Sequence, residues 1–287
     1  MGLFRTLLFV PGNNPRFLKK ARGISADIVC LDLEDSVPDD QKSKARGIIA
    51  ESLTQDTYES PVYVRTNPPS SRHLADDLES VILGKISGIV VPKVQNAEEM
   101  DKLENILARL EAERELPRTM IIPSIESAQG VVNCHDIATS SNRVASIVFG
   151  IFDLLNDMGI EYTKESADGG YSRAKVPVDA RAARVPAIDS IWQDIRDNDG
   201  LERDCQVGRD LGYSGKCIIH PDQIETTHRI FRPSAAEISW ARMVQDSYEN
   251  SIKTGKGATT VDGRMIDEVH YKRAKAVLEW SRNHSTV

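Results

Sequence analysis

The sequence predicts a closed (β/α)8 TIM barrel carrying a C-terminal helical extension. Three observations predict it. Eight short apolar runs, rich in β-branched residues, recur through the chain as far as Ile219. Longer helix-like stretches separate them. The phosphate loop expected of an open doubly wound sheet is missing, since neither G-x-G-x-x-G nor G-x-x-x-x-G-K-[ST] occurs. Continuous apolar runs separated by helices mark parallel strands covered on both faces, and eight such units close a barrel.

The runs, in order, are Thr6–Val10, Asp27–Leu33, Val62–Arg65, Gly88–Val91, Thr119–Ile122, Val144–Phe149, Ala187–Ile191 and Lys216–Ile219. Gln41–Leu53, Ala97–Ala112 and Ala128–Ser140 are among the helical stretches between them. The tail is longer than one barrel helix requires. His220–Phe231 and Ser234–Ser251 read as helices broken at Pro233, Thr254–Ala258 as a mobile loop, and Val269–Arg282 as a last amphipathic helix. The expected division is a barrel over 1–232 and a helical extension over 233–287 that packs either on its own barrel or on a neighbour.

With 287 residues, 40% of them hydrophobic, the chain has enough apolar mass for a sizeable core. A net charge of -7 argues against nucleic acid or an anionic membrane as the main partner, while leaving room for a local cationic pocket. Cys30, Cys134, Cys205 and Cys217 show no C-x-x-C spacing and read as buried structural thiols of a reducing compartment. No run approaches the roughly 20 apolar residues of a membrane span, and cytoplasm is the simplest location. The first six residues fit a myristoylation pattern, but Thr6 already begins a strand.

Barrel active sites form at the C-terminal ends of strands. Those ends here read Val10-Pro11-Gly12, Asp32-Leu33-Glu34-Asp35, Arg65-Thr66-Asn67, Pro92-Lys93, Pro123-Ser124-Ile125-Glu126, Gly150-Ile151-Phe152-Asp153 and His220-Pro221. Single charges placed just after buried strands would converge on one mouth. Glu126 and Asp153 end adjacent strands, and two such carboxylates need a proton or a cation between them. Hard Mg²⁺ suits one or two carboxylates plus waters and substrate oxygens; the bland reading is a pair of helix caps. Glu34 and Asp35 would accept from metal-bound water, or cap a turn. Arg65 is placed to clamp a carboxylate through two hydrogen bonds, or to pair with Glu34 or Asp35. Lys93 has the same two readings and leans structural. Arg16, Lys19 and Lys20 begin a helix after a glycine turn, which suits phosphates as well as it suits a solvated face. No histidine spacing indicates a metal, and no G-x-S-x-G elbow is present.

Taken together, these blocks resemble the citrate lyase β-subunit and malyl-CoA/citramalyl-CoA lyase family, part of the HpcH/HpaI aldolase superfamily. The likeness is carried by Leu8–Asn13, Leu31–Val37, Val64–Asn67, Val91–Val94, Ile122–Ser127, Phe149–Asp153, Gly215–Lys216, Ile219–Ile224 and Met265–Asp267. These blocks run in order over nearly the whole chain. Leu154–Gly212 is the least distinctive stretch, and Glu161–Tyr171 is a candidate for specificity.

The resemblance implies a Mg²⁺-dependent (Mn²⁺ as a substitute) carbon–carbon lyase. Its substrate would be a 3-hydroxy dicarboxylic acyl-CoA such as malyl-CoA or citramalyl-CoA, cleaved to acetyl-CoA and a 2-oxo acid. It places Glu126 and Asp153 as metal ligands, Arg65 on the oxo-acid carboxylate, and Phe9, Gly12, Arg16 and Lys20 on the CoA-facing side. It makes Asp267 the acid/base, reaching a neighbouring protomer's site in a homotrimer or dimer of trimers. Read alone, Asp267 caps the last helix. Four alternatives remain: a citrate lyase β-subunit acting on citryl-acyl-carrier protein, malate synthase or thioesterase chemistry on the same site, a non-catalytic or scaffolding role, and a non-CoA aldolase acting on pyruvate.

Overall fold

The computed structural model describes residues 4–163 and 169–283, and the chain divides into two compact units, Met1–Phe231 and Arg232–Val287. The first six residues and the Glu161–Tyr171 stretch therefore fall partly outside the described residues. In the first unit eight parallel strands close a barrel in sequence order. They are β1 (Thr6–Pro11), β2 (Ile28–Asp32), β3 (Val62–Arg65), β4 (Gly88–Val91), β5 (Met120–Ile125), β6 (Ile147–Phe149), β7 (Ala187–Asp189) and β8 (Gly215–Ile218). Each falls on one of the eight apolar runs. The fifth runs three residues past its expected end, so Pro123 lies inside the strand and Glu126 directly follows it.

The core has two layers because alternate strand residues face opposite sides of a closed sheet. Leu7, Ile28, Cys30, Tyr63, Val90, Ile122, Val148, Ile188 and Cys217 form one buried cluster that fills the barrel. A second and larger cluster, including Leu8, Val29, Leu31, Val64, Ile89, Val91 and Ile121, joins the barrel's outer face to the helices. All four cysteines are buried free thiols. The expected helix Ala128–Ser140 is broken at Asn133 into Ala128–Val132 and Cys134–Thr139. The Asn133 side chain donates to the Gln95 carbonyl (2.8 Å), so it serves a loop rather than a continuous helix.

One charged cluster lies in the outer layer. Asp189 on β7 and Lys216 on β8 are in register. Lys216 Nζ reaches Asp189 Oδ2 at 3.0 Å and also Asp204, while Arg173 Nε and Nη1 bond Asp189 (3.0 Å) and Asp204 (2.9 Å). Lys216 and Asp189 are completely buried. Two cations face two anions, so the desolvation of each is offset by a partner. The Cβ position of Gly208 lies 2.6 Å from Asp189 Oδ2, so glycine there lets the helix Asn198–Leu211 approach the carboxylate.

The second unit contains helix Ala235–Lys253, an antiparallel hairpin of β9 (Thr259–Val261) and β10 (Arg264–Ile266), and helix Glu268–Asn283. The hairpin replaces what the sequence presents as loop leading into helix. Its two-residue turn has Asp262 at φ 46° and Gly263 at φ 75°. Asp-Gly with both residues left-handed is the turn that matches strand twist.

Lys216→Met removes one of two buried cations and leaves Asp189 and Asp204 sharing Arg173. Urea unfolding should show a loss of about 3 kcal/mol or more, the scale for breaking a buried ion pair.

Candidate active site

The C-terminal ends of the strands enclose a cavity of about 400 Å³. Phe9, Pro11, Asp32, Asp35, Arg65, Val148, Phe152, Ile191 and Ile219 line it, together with Glu126, Gly150 and Asp153.

Strand register sets the first contact. Asp32 and Arg65 are Cα partners on β2 and β3, so their side chains leave neighbouring strands in the same direction. Arg65 donates from Nε to Asp32 Oδ1 (2.6 Å) and from Nη2 to Asp32 Oδ2 (2.7 Å). Its remaining nitrogen lies 3.1 Å from Glu34 Oε2 and 3.3 Å from Asp35 Oδ2. The guanidinium carbon stands 4.4 Å over the Phe9 ring. Asp32 is 1% exposed. Burial alone would raise its carboxyl pKa, but Arg65, with help from Ser36 and the Glu34 amide, holds it below the ordinary value. The same carboxylates outweigh burial at Arg65 and hold its cation firmly. The second of the two readings of Arg65, a pairing with Glu34 or Asp35, is present in the structure, which adds Asp32 as its main partner.

Lys93, just beyond β4, reaches Glu34 Oε1 at 2.7 Å, Asp153 Oδ1 at 3.1 Å and Asp35 Oδ1 at 3.9 Å. Burial disfavours its charge, yet Glu34 and Asp153 more than compensate and raise its pKa. The structural reading of Lys93, an ion pair with Glu34 or Asp35, matches this geometry, and Asp153 is a further partner.

Glu126 is 7% exposed, and its Oε2 is buried without a hydrogen-bond partner. Gly150 makes room for it: a Cβ there would meet Glu126 Cγ at 2.5 Å. Burial, followed by the nearby Glu34 and Asp153 charges against the weaker pull of Arg65 and Lys93, pushes the Glu126 carboxyl up to about 8. Asp153 lies in the first turn of the helix Ile151–Asp157, and Asp157, not Asp153, accepts from the Ala128 amide that starts the helix Ala128–Val132. Among the described residues no three His, Cys, Asp or Glu side chains converge to cage a metal. A two-carboxylate site completed by water and substrate oxygens is the pattern that suits Mg²⁺. An orphaned buried oxygen on Glu126 and a half-exposed Asp153 carboxylate fit it.

Five of the expected site residues are not cavity-lining. Glu34 is buried behind Arg65 and Lys93. Arg16 and Lys20 are exposed on the helix Pro15–Ala21. Gly12 has a packing reason, since a Cβ would lie 2.5 Å from the Asp32 carbonyl and 2.6 Å from Ile49 Cδ1. Asp267 belongs to the second unit. There its Oδ1 accepts from the Val269 amide (3.0 Å), the His270 amide (3.3 Å) and His270 Nδ1 (2.7 Å). It thus caps the last helix, and the His270 hydrogen bond lowers its carboxyl pKa.

Residues 5–221 match the family model described as HpcH/HpaI aldolase/citrate lyase. The chain belongs to that family. It is 34% identical over 286 residues to citrate lyase subunit beta of Leuconostoc mesenteroides subsp. cremoris, covering 98% of this chain and 95% of that protein. It is 33% identical over 283 residues to mitochondrial citramalyl-CoA lyase of Homo sapiens, covering 94% of this chain and 83% of that protein. The crystal structure of CitE from Mycobacterium tuberculosis in complex with magnesium, acetoacetate and coenzyme A superposes with a TM-score of 0.80 at 28% identity, covering 98% of both chains. No helix of the described residues is long and apolar enough to cross a membrane.

Because Glu126 ionises only near pH 8 in the fold but near 4.5 when unfolded, folding favours its proton. Its contribution is full below pH 4.5 and is lost as pH rises through 8, a swing of about 3–5 kcal/mol at most. In chelator, Glu126→Gln should therefore melt higher than the parent protein at about pH 8.5 and equal to it near pH 4.

Proposed function

We propose that this carbon–carbon lyase cleaves, and in reverse forms, a 3-hydroxyacyl-CoA bearing a carboxylate, giving acetyl-CoA and a 2-oxo acid, with Mg²⁺ held at the barrel mouth. The observation that carries the reading is the buried, unpartnered Glu126 Oε2 beside Asp153 in a carboxylate-rich cavity, in a chain of this family. Glu126 and Asp153 would hold the metal, which when bound supplies Lewis-acid polarisation of substrate oxygens; Mn²⁺ has the same hard-ligand preference and would substitute. The family's magnesium- and coenzyme A-bound CitE supports both the metal and the carrier.

Each remaining residue has a task its geometry allows. Arg65 already spends two donors on Asp32, so the 2-oxo acid carboxylate would meet its Nη1 edge, where Glu34 and Asp35 now compete. Glu34 and Asp35 would accept from water around the metal. Phe9 stacks against Arg65 and walls the cavity. The Gly12 turn and the exposed Arg16 and Lys20 would face the CoA phosphates. Asp267 would move the proton, from a neighbouring copy in a homotrimer or dimer of trimers. Freeing it for that role means breaking its His270 and helix-capping bonds. Four buried free thiols suit a reducing compartment such as the cytoplasm.

The cavity also bears on the acid. Arg65 is the cation that lines it among the described residues, and Phe9, Val148, Phe152, Ile191 and Ile219 are apolar. Glyoxylate and pyruvate carry one carboxylate and a small remainder, which matches this wall. Oxaloacetate brings a second carboxylate that finds no second lining cation, and an unpaired charge in such a pocket is costly. Malyl-CoA or citramalyl-CoA is therefore favoured over citryl-CoA. The alternative is a β-subunit acting on citryl-acyl-carrier protein, supported by the Leuconostoc relative.

Offering malyl-CoA, citramalyl-CoA and citryl-CoA separately with Mg²⁺, and following acetyl-CoA, tests the reading. Cleavage of one of the first two, abolished by EDTA, is the expected result. Activity on citryl-acyl-carrier protein alone would move the assignment to the alternative. Asp267→Asn should lower kcat by roughly 10²–10⁴-fold, the usual scale of general acid–base help, with Mn²⁺ binding unchanged. An unchanged kcat removes Asp267 from the mechanism.

A further inference from the structure

Lys93 stands out in the barrel mouth for its backbone. Among the described residues it is one of four non-glycine residues with positive φ, at 56°, in the left-handed region that side chains with a Cβ adopt at a cost. Such an outlier persists when the surroundings hold it, and it commonly marks a working site. Glycine would take this conformation freely, so the position is occupied for the sake of the lysine side chain.

That side chain is placed among carboxylates. The side chain is 33% exposed, and its ammonium spans Glu34 and Asp153 and approaches Asp35. Beyond Asp32, which Arg65 holds, four carboxyl groups gather here: Glu34, Asp35, Glu126 and Asp153. Lys93 touches three of them and leaves the buried Glu126 Oε2 without a partner. A divalent cation shared by Glu126 and Asp153 therefore meets Lys93 as a like charge on the same Asp153 carboxylate.

We propose that Lys93 is a positioning residue that shares Asp153 with the divalent cation, and that its positive charge weakens binding of that cation until the negative charge of the 2-oxo acid arrives. The proposal rests on the assignment of Glu126 and Asp153 as the metal's ligands. Two effects oppose each other at this site. Lys93 steadies Asp153, which favours the metal, and it repels the metal, which disfavours it. Asp153 lies in the first turn of the helix Ile151–Asp157 and is held there by its backbone, so steadying adds little. Repulsion acts at hydrogen-bond distance from the ligand itself, where charge interactions are strongest, and it prevails. The substrate acid then supplies the missing negative charge. Metal and acid bind cooperatively, and by linkage each strengthens the other by the same factor.

The test is Mn²⁺ binding, followed through the electron paramagnetic resonance signal of free Mn²⁺, with and without pyruvate. Parent protein, Lys93→Met, Lys93→Gly and Lys93→Arg are compared. Without pyruvate, Lys93→Met and Lys93→Gly should each bind Mn²⁺ roughly tenfold more tightly, the scale of one charge–charge contact at this range. Lys93→Arg should stay within about twofold of the parent, since the charge is kept. Pyruvate should tighten Mn²⁺ binding in the parent and do so less in the Met and Gly variants. Lys93→Gly and Lys93→Met lose the same charge but only Lys93→Gly relieves the left-handed backbone, so it should melt above Lys93→Met while binding Mn²⁺ alike, which separates charge from folding. Unchanged or weaker Mn²⁺ binding in both neutral variants overturns the proposal, as does equal tightening in Lys93→Arg. Absence of Mn²⁺ binding by the parent overturns the metal assignment together with it. Loss of binding in Glu126→Gln, with no change in the Lys93 variants, leaves that assignment standing and removes Lys93 alone.

Discussion

The mouth of this barrel carries more negative charge than its own cations balance, and much of the local architecture depends on that imbalance. Among the described residues, Asp32, Glu34, Asp35 and Asp153 pair there with Arg65 and Lys93, and Glu126 Oε2 has no hydrogen-bond partner. Arg65 is the fixed part of the arrangement. Strand register sets it beside Asp32, the bidentate fork locks the pair, and Phe9 supports the flat face of the guanidinium. Lys93 accepts an unfavourable backbone to reach Glu34 and Asp153. Gly150 gives up a side chain so that Glu126 fits. What remains uncompensated is a carboxyl that burial and its neighbours hold protonated to about pH 8.

The opposite treatment of charge appears on the outer layer of the same barrel. Arg173, Lys216, Asp189 and Asp204 are as deeply buried, yet two cations match two anions and each is hydrogen-bonded. Such a closed network calls for no further partner and reads as structure. The mouth is open on one side and short of positive charge. Perturbed titration in a cleft, rather than burial of charge as such, distinguishes a site that takes up a ligand. The family to which the chain belongs contains structures with magnesium in complex, in keeping with this difference.

The barrel was legible in the sequence because parallel strands are buried on both faces and so appear as unbroken apolar runs. The rule that sites gather at strand ends then brought out Arg65, Glu126, Asp153, Glu34 and Asp35, and the structure places these close together. Asp32 was harder to see, because its pairing with Arg65 follows from register between strands rather than from local sequence. Asp189 and Lys216 were hidden inside apolar runs, where a strand pattern gives no sign that two adjacent strands exchange charges. The left-handed turn at Lys93 has no sequence signal, since lysine is not a residue that favours it. The β9–β10 hairpin did have one, Asp262-Gly263, which was masked by the short length of its strands. For Asp267 the local pattern indicates a helix cap and the geometry agrees; its proton-transfer role comes from family resemblance.

The most direct test of the central idea, that the carboxylate excess at the mouth exists to hold a divalent cation, is anomalous diffraction from crystals grown with Mn²⁺ and pyruvate. A single strong anomalous peak between the carboxylates of Glu126 and Asp153 is the predicted result. A peak at other residues, or none at this pair in crystals that turn over substrate, would contradict it.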